Sequence, residues 1–310
     1  MNTNNTQSTS HILMIRPVNF GFNEQTAGSN AFQNRNADKN GVNEKAQNEF
    51  DGMVNILREH GVDVIVVDDT TEPHTPDSIF PNNWVSFHDD GNVFLYPMQA
   101  ENRRLERRED IINGLEDNFT VKHVIDLSRF EEQNKFLEGT GSMVLDRENK
   151  IAYACISPRT DPGVLALFCE HAGYEAVSFD AVDEHDQPIY HTNVLMCIGS
   201  GFAVICLDSI PNPHEKILVK ELLTSSHKEI IDISFDQMNH FAGNMLEVKN
   251  EAGKTLIVMS KSACDCLLEE QKSALKKHGG LIYADISTIE TNGGGSARCM
   301  MAEVHLPLLI

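Results

Sequence analysis

The sequence predicts an α/β fold in which five similar units close into a ring, forming one domain over residues 11–310. A short apolar strand that follows a helical stretch recurs roughly every 55 residues, at 61–69, 119–127, 173–181, 228–236 and 280–288. Pairs of β-rich runs stand before four of the helices, and Gly, Asn and Asp in the links between them suit hairpin turns. Each unit is therefore predicted to be a ββαβ repeat.

The elements can be placed in order along the chain. The paired strands are predicted at 84–87 with 93–96, 143–145 with 151–154, 194–198 with 202–207, and 245–248 with 255–259. The helices are predicted at 44–59, 102–115, 162–171, 213–224 and 262–277, and several begin with Pro, Ser or Asn, as helix starts often do. The strands at 12–15 and 298–305 would complete one unit and close the ring. A doubly wound sheet fits less well, because its units lack the hairpin.

Two polar segments lie outside the repeat. Residues 1–10 contain no Lys or Arg and no apolar run, so we expect them to form a disordered tail and not a signal peptide. Residues 19–43 are rich in Asn and Gly and are too long for a simple connection. This second segment is either disordered or a lid over a site.

The amino-acid composition indicates which classes of binding partner to expect. The 310 residues include 25 Lys and Arg against 46 Asp and Glu, a net charge of −21, which repels nucleic acids and anionic membranes. The longest apolar runs have about six residues, whereas a bilayer span needs about 20. We therefore expect a small-molecule partner, no nucleic acid and no membrane, while assembly into a homo-oligomer stays open.

The cysteines predict neither a disulfide scaffold nor a metal site. Their number, seven, is odd and their spacing follows no framework, which favours a reducing cytoplasmic location. The chain has no His-Glu-x-x-His motif and no Cys-x-x-Cys pair, and Cys264 and Cys266 are too close together for a zinc site. We expect neither a metal nor another cofactor.

The segment Asn292-Gly-Gly-Gly-Ser-Ala-Arg-Cys-Met300 carries the candidate nucleophile. The successive glycines Gly293, Gly294 and Gly295 let the backbone approach a substrate closely and aim its amides at a developing charge. Cys299 follows this turn, and a thiolate attacks electrophilic carbon readily. A buried core cysteine is the alternative, and it is the commoner fate of a free thiol.

Three other residues stand at equivalent places in their units. His191 comes just before a predicted strand, whereas His60, His171, His227 and His278 follow helices and are predicted to cap them. Asp77 and Glu138 also lie near the starts of units, so in a ring they could converge with His191 and Cys299. Each alone could be a solvated turn carboxylate or a capping histidine, but the four together favour a catalytic site.

At these residues the sequence resembles the guanidino-group-modifying enzymes, or penteins, over nearly the whole chain. Asp77-Ser-Ile-Phe80 resembles the family's Asp-Ser-Val-Phe, and His191-x-Asn193 resembles its His-x-Asp. Leu137-Glu138-Gly139 and the glycine turn before Cys299 complete the match. The resemblance implies a five-bladed α/β propeller, with Cys299 as covalent nucleophile, His191 as general acid and base, and Glu138 orienting His191.

Departures from the family concern the substrate. Asn82, Asn83 and Asn193 stand where relatives have carboxylates. A guanidinium has only donors, whereas a ureido group has a carbonyl oxygen, which a carboxylate would oppose at a cost of roughly 1–3 kcal/mol. The pocket therefore resembles the citrulline-hydrolysing, amidinotransferase-like branch, and Asp77 is expected to hold the terminal NH₂.

The amino-acid end of a substrate requires a cation. Arg103, Arg104 and Arg159 lie in segments that resemble those supplying carboxylate-binding arginines, although a solvated basic face is the alternative. Phe80 is expected either to stack on the planar ureido group or to pack in the core. These residues lead to a hypothesis of citrulline hydrolysis to ornithine, ammonia and carbon dioxide. The alternatives are a guanidinium substrate, in deiminase, dimethylarginine hydrolase or amidinotransferase chemistry, and a noncatalytic propeller that binds a protein.

Overall fold

A computed structural model describes residues 6–28, 30, 32–34 and 40–309, and it contains fifteen strands in this described part of the chain. The strands are β1 His11–Arg16, β2 Asp63–Asp68, β3 Val85–Phe87, β4 Asn92–Leu95, β5 His123–Asp126, β6 Val144–Asp146, β7 Ile151–Cys155, β8 Glu175–Phe179, β9 Met196–Ile198, β10 Phe202–Ile205, β11 Glu229–Asp232, β12 Leu246–Lys249, β13 Thr255–Ser260, β14 Gly280–Ala284 and β15 Ala302–Glu303.

These strands form five three-stranded sheets, in the orders β15-β1-β2, β3-β4-β5, β6-β7-β8, β9-β10-β11 and β12-β13-β14. In every sheet the first strand runs antiparallel to the middle one, and the third runs parallel to it. The ring closes where β15 pairs with β1, with Ile12 opposite Glu303. The predicted fivefold ββαβ propeller is thereby confirmed.

The helices connect the strands and cover the blades. They are α1 Val42–Glu59, α2 Glu101–Arg104, α3 Glu109–Leu115, α4 Gly139–Ser142, α5 Pro162–Ala172, α6 Thr192–Leu195, α7 Pro213–Ser225, α8 Phe235–Asn239, α9 Lys261–Cys266, α10 Glu269–Lys276 and α11 Ser287–Gly293. At two of the predicted helix starts, a side chain caps the helix. Asp161 caps α5 by accepting from two backbone amides, and Asn212 caps α7, each followed by a proline. Among the described residues, no helix has the length and apolar character needed to cross a bilayer.

Two predicted helices are interrupted. The helix predicted at 102–115 breaks into α2 and α3, because Glu106 turns back to meet Arg103 through two hydrogen bonds of 2.9 Å. The helix predicted at 262–277 breaks into α9 and α10, where Leu267 and Leu268 are extended and Leu267 is buried. The pairing of Arg103 with Glu106 thus interrupts the first of these helices, and the burial of Leu267 interrupts the second.

In two of the predicted strands part of the run is a helical turn, and both changes affect the site. The first two residues of the predicted strand 194–198 belong to α6, because the Thr192 hydroxyl donates to the Ser142 carbonyl and accepts from the Cys155 amide. In the run 298–305 only Ala302–Glu303 is strand, and Ala297–Met300 is a 3₁₀ turn. His191 therefore immediately precedes a short helical turn, and Cys299 lies within one.

The N-terminal segment differs from the expected tail. Gln7 and Ser8 are buried. The Gln7 amide nitrogen donates to the carbonyls of Leu145 and Ile198, and its oxygen accepts from the Arg147 amide. The prediction of disorder is wrong at these two residues, because Gln7 satisfies backbone groups of two neighbouring blades. Residues 1–5, and residues 29, 31 and 35–39 of the predicted lid segment, lie outside the described residues.

Candidate active site

Segments that lead into the first strands of several blades converge on one small cavity. Its volume is about 20 Å³ and its lining is Asn30, Asp77, Phe80, Asn83, Arg103, Arg159, Tyr190, His191, Gly293, Gly294, Gly295 and Cys299. Asp77, His191 and Cys299 each precede the first strand of a blade, namely β3, β9 and β15. Glu138, before β6, contacts His191 from behind. The structure therefore brings together the four residues that the repeat predicted to converge.

Two amide groups donate to the Cys299 sulfur. Its Sγ lies 3.4 Å from Nδ2 of Asn193 and 3.3 Å from Nδ2 of Asn244. Its backbone amide bonds to the Ser296 carbonyl, which holds the turn that carries it. Cys299 is 7% exposed and borders the cavity, so the thiol is enclosed but faces the space in which a substrate group would lie.

His191 and Glu138 form a buried pair. Nε2 of His191 lies 2.8 Å from Oε2 of Glu138, and the Arg159 guanidinium lies 3.3 Å from the same oxygen. Burial would raise the pKa of Glu138, but Arg159 and His191 outweigh it and hold that pKa well below its usual range. Because an ionised carboxylate only accepts, Nε2 of His191 carries the proton and Nδ1 has the lone pair.

Burial also determines the protonation state of His191. It lowers the pKa of His191 from 6.5 to about 4, although the bond to Glu138 acts in the opposite direction. The imidazole is therefore neutral near pH 7, and Nδ1 can accept a proton. Gly141 makes room for this nitrogen, because a Cβ at position 141 would lie 2.8 Å from His191 Nδ1 and would overlap Asn83 Nδ2.

Asn83 presents a hydrogen-bond donor to the cavity. Its Oδ1 accepts from Nη1 of Arg103 at 2.9 Å, and a guanidinium can only donate, so this contact fixes the orientation of the amide. The Nδ2 group of Asn83 is buried and has no hydrogen-bond partner within the described part of the chain. An unpaired buried NH₂ group is costly, so this donor suits an acceptor on a ligand.

Asp77 presents an acceptor to the same cavity. Its Oδ2 accepts from the Asn23 amide at 2.7 Å, whereas its Oδ1 is buried and has no hydrogen-bond partner among the residues described. Burial raises the pKa of Asp77, opposed chiefly by the nearby Arg103 guanidinium. The cavity thus offers one donor, from Asn83, and one acceptor, from Asp77.

The glycine turn packs against Phe80. A Cβ at Gly293 or at Gly295 would lie 2.8 Å from the Phe80 ring, and Gly294 has φ +66°, so all three positions exclude larger residues. The amide of Gly294 is bonded to the Glu290 carbonyl, where it ends α11. The expectation that this amide stabilises an oxyanion is therefore wrong for Gly294. The hydroxyl of Tyr190 donates to the Gly294 carbonyl and supports the turn.

Four of the predicted substrate-binding residues take other positions. Asn193 is outside the cavity lining, and its Nδ2 donates to the Cys299 sulfur. Arg103 lines the cavity, but its guanidinium is bonded to Glu106, Asn83 and two backbone carbonyls, so it positions Asn83 instead of binding a carboxylate. Arg104 faces away and bonds to the carbonyls of Met98 and Gln99. Asn82 is absent from the cavity lining and its amide faces Thr140. The break between α2 and α3 lets Glu106 bind Arg103, and the turn at residues 81–83 directs the Asn82 amide toward Thr140.

Several residues of the site were not predicted from the sequence. Asn23, Thr26 and Asn30 cover the cavity, since Asn23 and Thr26 bond to Asp77 and Asn30 bonds to the glycine turn. Asn244 precedes β12, which is the place in its blade that corresponds to His191 and Cys299 in theirs. That equivalence was the available signal for Asn244, although a lone asparagine carries no motif.

A second, larger cavity adjoins the first. Its volume is about 880 Å³, and Tyr190 lines both cavities. Acidic side chains of Asp183, Glu184 and Glu290 border it, together with Phe32 and Phe241. Across the described ranges, no group of three His, Cys, Asp or Glu side chains is arranged to hold a metal ion.

The fold and the enclosed Cys, His and Glu side chains define a class, the guanidino-group-modifying or pentein superfamily. Within it, residues 16–306 match the family model described as N,N-dimethylarginine dimethylhydrolase, eukaryotic. The chain belongs to this family. No curated protein sequence matches it.

Solved structures show the same fold at low sequence identity. ArgZ, an arginine dihydrolase from the ornithine-ammonia cycle in Cyanobacteria, is 19% identical with a TM-score of 0.76, over 96% of this chain and 41% of that chain. Unliganded AgrE is 19% identical with a TM-score of 0.76, over 97% of this chain and 40% of that one. DDAH from Pseudomonas aeruginosa, in complex with citrulline, is 15% identical with a TM-score of 0.64, over 96% of this chain and 99% of its own. This chain spans about two fifths of ArgZ and AgrE.

Proposed function

We propose that this chain hydrolyses the ureido group of citrulline, giving ornithine, ammonia and carbon dioxide through a covalent intermediate on Cys299. The observation that carries the proposal is the pair of buried polar groups in the cavity. The Asn83 NH₂ donor matches a ureido oxygen, and the Asp77 Oδ1 acceptor matches a ureido NH₂. A guanidinium would turn donors toward both residues and leave Asn83 unmatched.

The reaction follows from the arrangement of Cys299 and His191. The Cys299 sulfur attacks the ureido carbon, and its proton passes through Nδ1 of His191 to the departing ornithine amine. A carbamoyl thioester remains on Cys299, and the Asn83 amide donates to the ureido oxygen as it gains charge. His191 then removes a proton from water, which attacks the thioester and regenerates the thiol. The released carbamate separates into ammonia and carbon dioxide.

The amino-acid end of the substrate requires its own contacts. We propose that Arg159, which lines the cavity close to Glu138, serves the substrate carboxylate. Phe80 presents its ring beside the glycine turn, where it can cover the planar ureido group.

We also propose that the segment 19–43 acts as a lid. A cavity of about 20 Å³ holds no more than about one water molecule, so a substrate can enter only if the covering residues move. Asn23, Thr26 and Asn30 make the covering contacts, and the cavity of about 880 Å³ lies beside them.

A guanidinium substrate is the second candidate, because the Asp77 carboxyl group lines the cavity with Cys299 and because relatives of the same fold are named for arginine and dimethylarginine. A mutant of AgrE has been solved with L-arginine. The proximity of His191, Glu138 and Cys299 argues against a noncatalytic propeller.

The experiment supplies purified protein with citrulline, arginine or dimethylarginine and identifies the products. We expect equal amounts of ornithine and ammonia from citrulline, at a higher kcat/KM than for the other two compounds. Release of citrulline from arginine or from dimethylarginine, with no turnover of citrulline, would replace the ureido assignment with the guanidinium one. The Cys299→Ser variant controls for contaminating activity.

A further inference from the structure

We infer that Asn244 is a thiolate-binding residue, which stabilises the ionised form of Cys299 by hydrogen bonding to its sulfur. This inference rests on the proposed function, in which Cys299 is the nucleophile. It adds the fifth blade to a site that otherwise draws its functional side chains from four. Asn244 is 1% exposed, lies two residues before the start of β12, and belongs to no motif that the sequence displays.

The orientation of the Asn244 amide is determined by two backbone groups. Its Oδ1 accepts from the Arg298 amide at 3.0 Å, and its Nδ2 donates to the Asn193 carbonyl at 3.0 Å. A flipped amide would oppose oxygen to oxygen and N–H to N–H, so the observed orientation is the only one in which both contacts are bonds. The second hydrogen of Nδ2 is therefore available for the Cys299 sulfur, 3.3 Å away. The Oδ1 atom, to which a neutral thiol could donate, lies farther from the sulfur, at 3.7 Å.

The contact discriminates between the two protonation states of the thiol. A sulfur anion is a much stronger acceptor than a neutral thiol, so an N–H donor in a buried place favours the anion. His191 cannot supply this stabilisation as a cation in the resting state, because burial lowers its pKa to about 4. The nearby donors are amides, from Asn244 and from Asn193.

The two amides differ in how firmly they are held. The Oδ1 of Asn193 is buried without a hydrogen-bond partner among the described residues, so only its Nδ2 contact with Cys299 orients it. Asn244 is bonded at both ends of its amide group. We therefore assign the larger share of thiolate stabilisation to Asn244.

The test measures the ionisation of Cys299 directly and requires no substrate. The ultraviolet absorbance of the thiolate is followed against pH, and the same titration of a Cys299→Ser variant is subtracted in each background. Asn244→Ala removes the donor, and Asn244→Asp places an acceptor of the same shape against the sulfur. Asn113→Ala, at an exposed position of α3, is the matched control.

The titration midpoint should rise by about one to two pH units in Asn244→Ala, as expected for the loss of one hydrogen bond to a charged group. It should rise further in Asn244→Asp and stay unchanged in Asn113→Ala. Circular dichroism establishes that each variant is folded, and Asn244→Ser provides a smaller donor should Asn244→Ala fail to fold. A folded Asn244 variant with the wild-type midpoint would overturn the inference. Because turnover is not measured, failure of citrulline hydrolysis would leave this result intact, and the reverse also holds.

Discussion

Replacing Asn83 with Asp tests how the cavity recognises its substrate. The substitution keeps the shape of the side chain and keeps an oxygen for Arg103 Nη1, which lies 2.9 Å from Oδ1, so the new carboxylate should occupy the same place. It changes only the group that faces the cavity, from an NH₂ donor to an acceptor. The ureido oxygen of citrulline would then meet a second acceptor.

The magnitude follows from the hydrogen bond that is lost. Leaving a buried polar group opposed to another of its kind costs about 1–3 kcal/mol, which corresponds to a decrease of about 5- to 150-fold in kcat/KM for citrulline. Arginine carries donors at the equivalent position, so its kcat/KM should rise instead. The ratio of the two values is therefore the sensitive quantity.

The assay measures kcat/KM for citrulline and for arginine in wild type and variant. Asn82→Asp is the matched control, because Asn82 is the neighbouring residue, is equally buried and faces Thr140 instead of the cavity. Its citrulline-to-arginine ratio should equal that of the wild type. An unchanged ratio in Asn83→Asp would refute the claim that this amide reads the substrate. A further Asn193→Asp substitution should strengthen the shift toward arginine, although neighbouring substitutions rarely add.

Three other perturbations test separate parts of the account. Cys299→Ser and His191→Ala should each abolish turnover while circular dichroism stays unchanged, and substantial activity in Cys299→Ser would exclude the covalent route. Gly141→Ala should lower kcat/KM by about 100-fold, because the added Cβ displaces both Asn83 and His191, whereas Gly114→Ala, with no atom within 4 Å of its Cβ, should have no effect. Burial lowers the pKa of His191 from 6.5 to about 4, so the folded state binds fewer protons than the unfolded state between these values. Urea denaturation measures the free energy of unfolding at each pH. As the pH decreases from about 6.5 to about 4, this free energy should fall by on the order of 3 kcal/mol more in the wild type than in His191→Gln. Parallel curves for the two proteins in this range would contradict the buried neutral imidazole.

The architecture could be predicted from the sequence because each repeat consists of local sequence patterns. Alternating apolar runs, hairpin links and helix starts recur often enough for the five units to be recognised without tertiary information. The same regularity placed His191, Glu138, Asp77 and Cys299 at corresponding positions. Their proximity in one cavity follows from closure of the ring.

The remaining features depend on contacts between distant residues. Arg103 was expected at a substrate carboxylate, but Glu106 approaches it across a break in the helix, and local propensity does not reveal that break. Gln7 is ordered only because two blades expose backbone groups beside it. Asn244 has no motif, and its importance emerges only when Cys299 and Arg298 are placed next to it.

The central claim is that Cys299 takes the carbamoyl group of citrulline, and a single-turnover experiment tests it most directly. Citrulline labelled at the ureido carbon is mixed with excess protein, the reaction is quenched in acid at a series of times, and the Cys299 peptide is analysed by mass spectrometry. The account predicts that the label appears on Cys299 together with free ornithine and then leaves as carbon dioxide. Formation of ornithine with no label on Cys299 at any time during the turnover would contradict it.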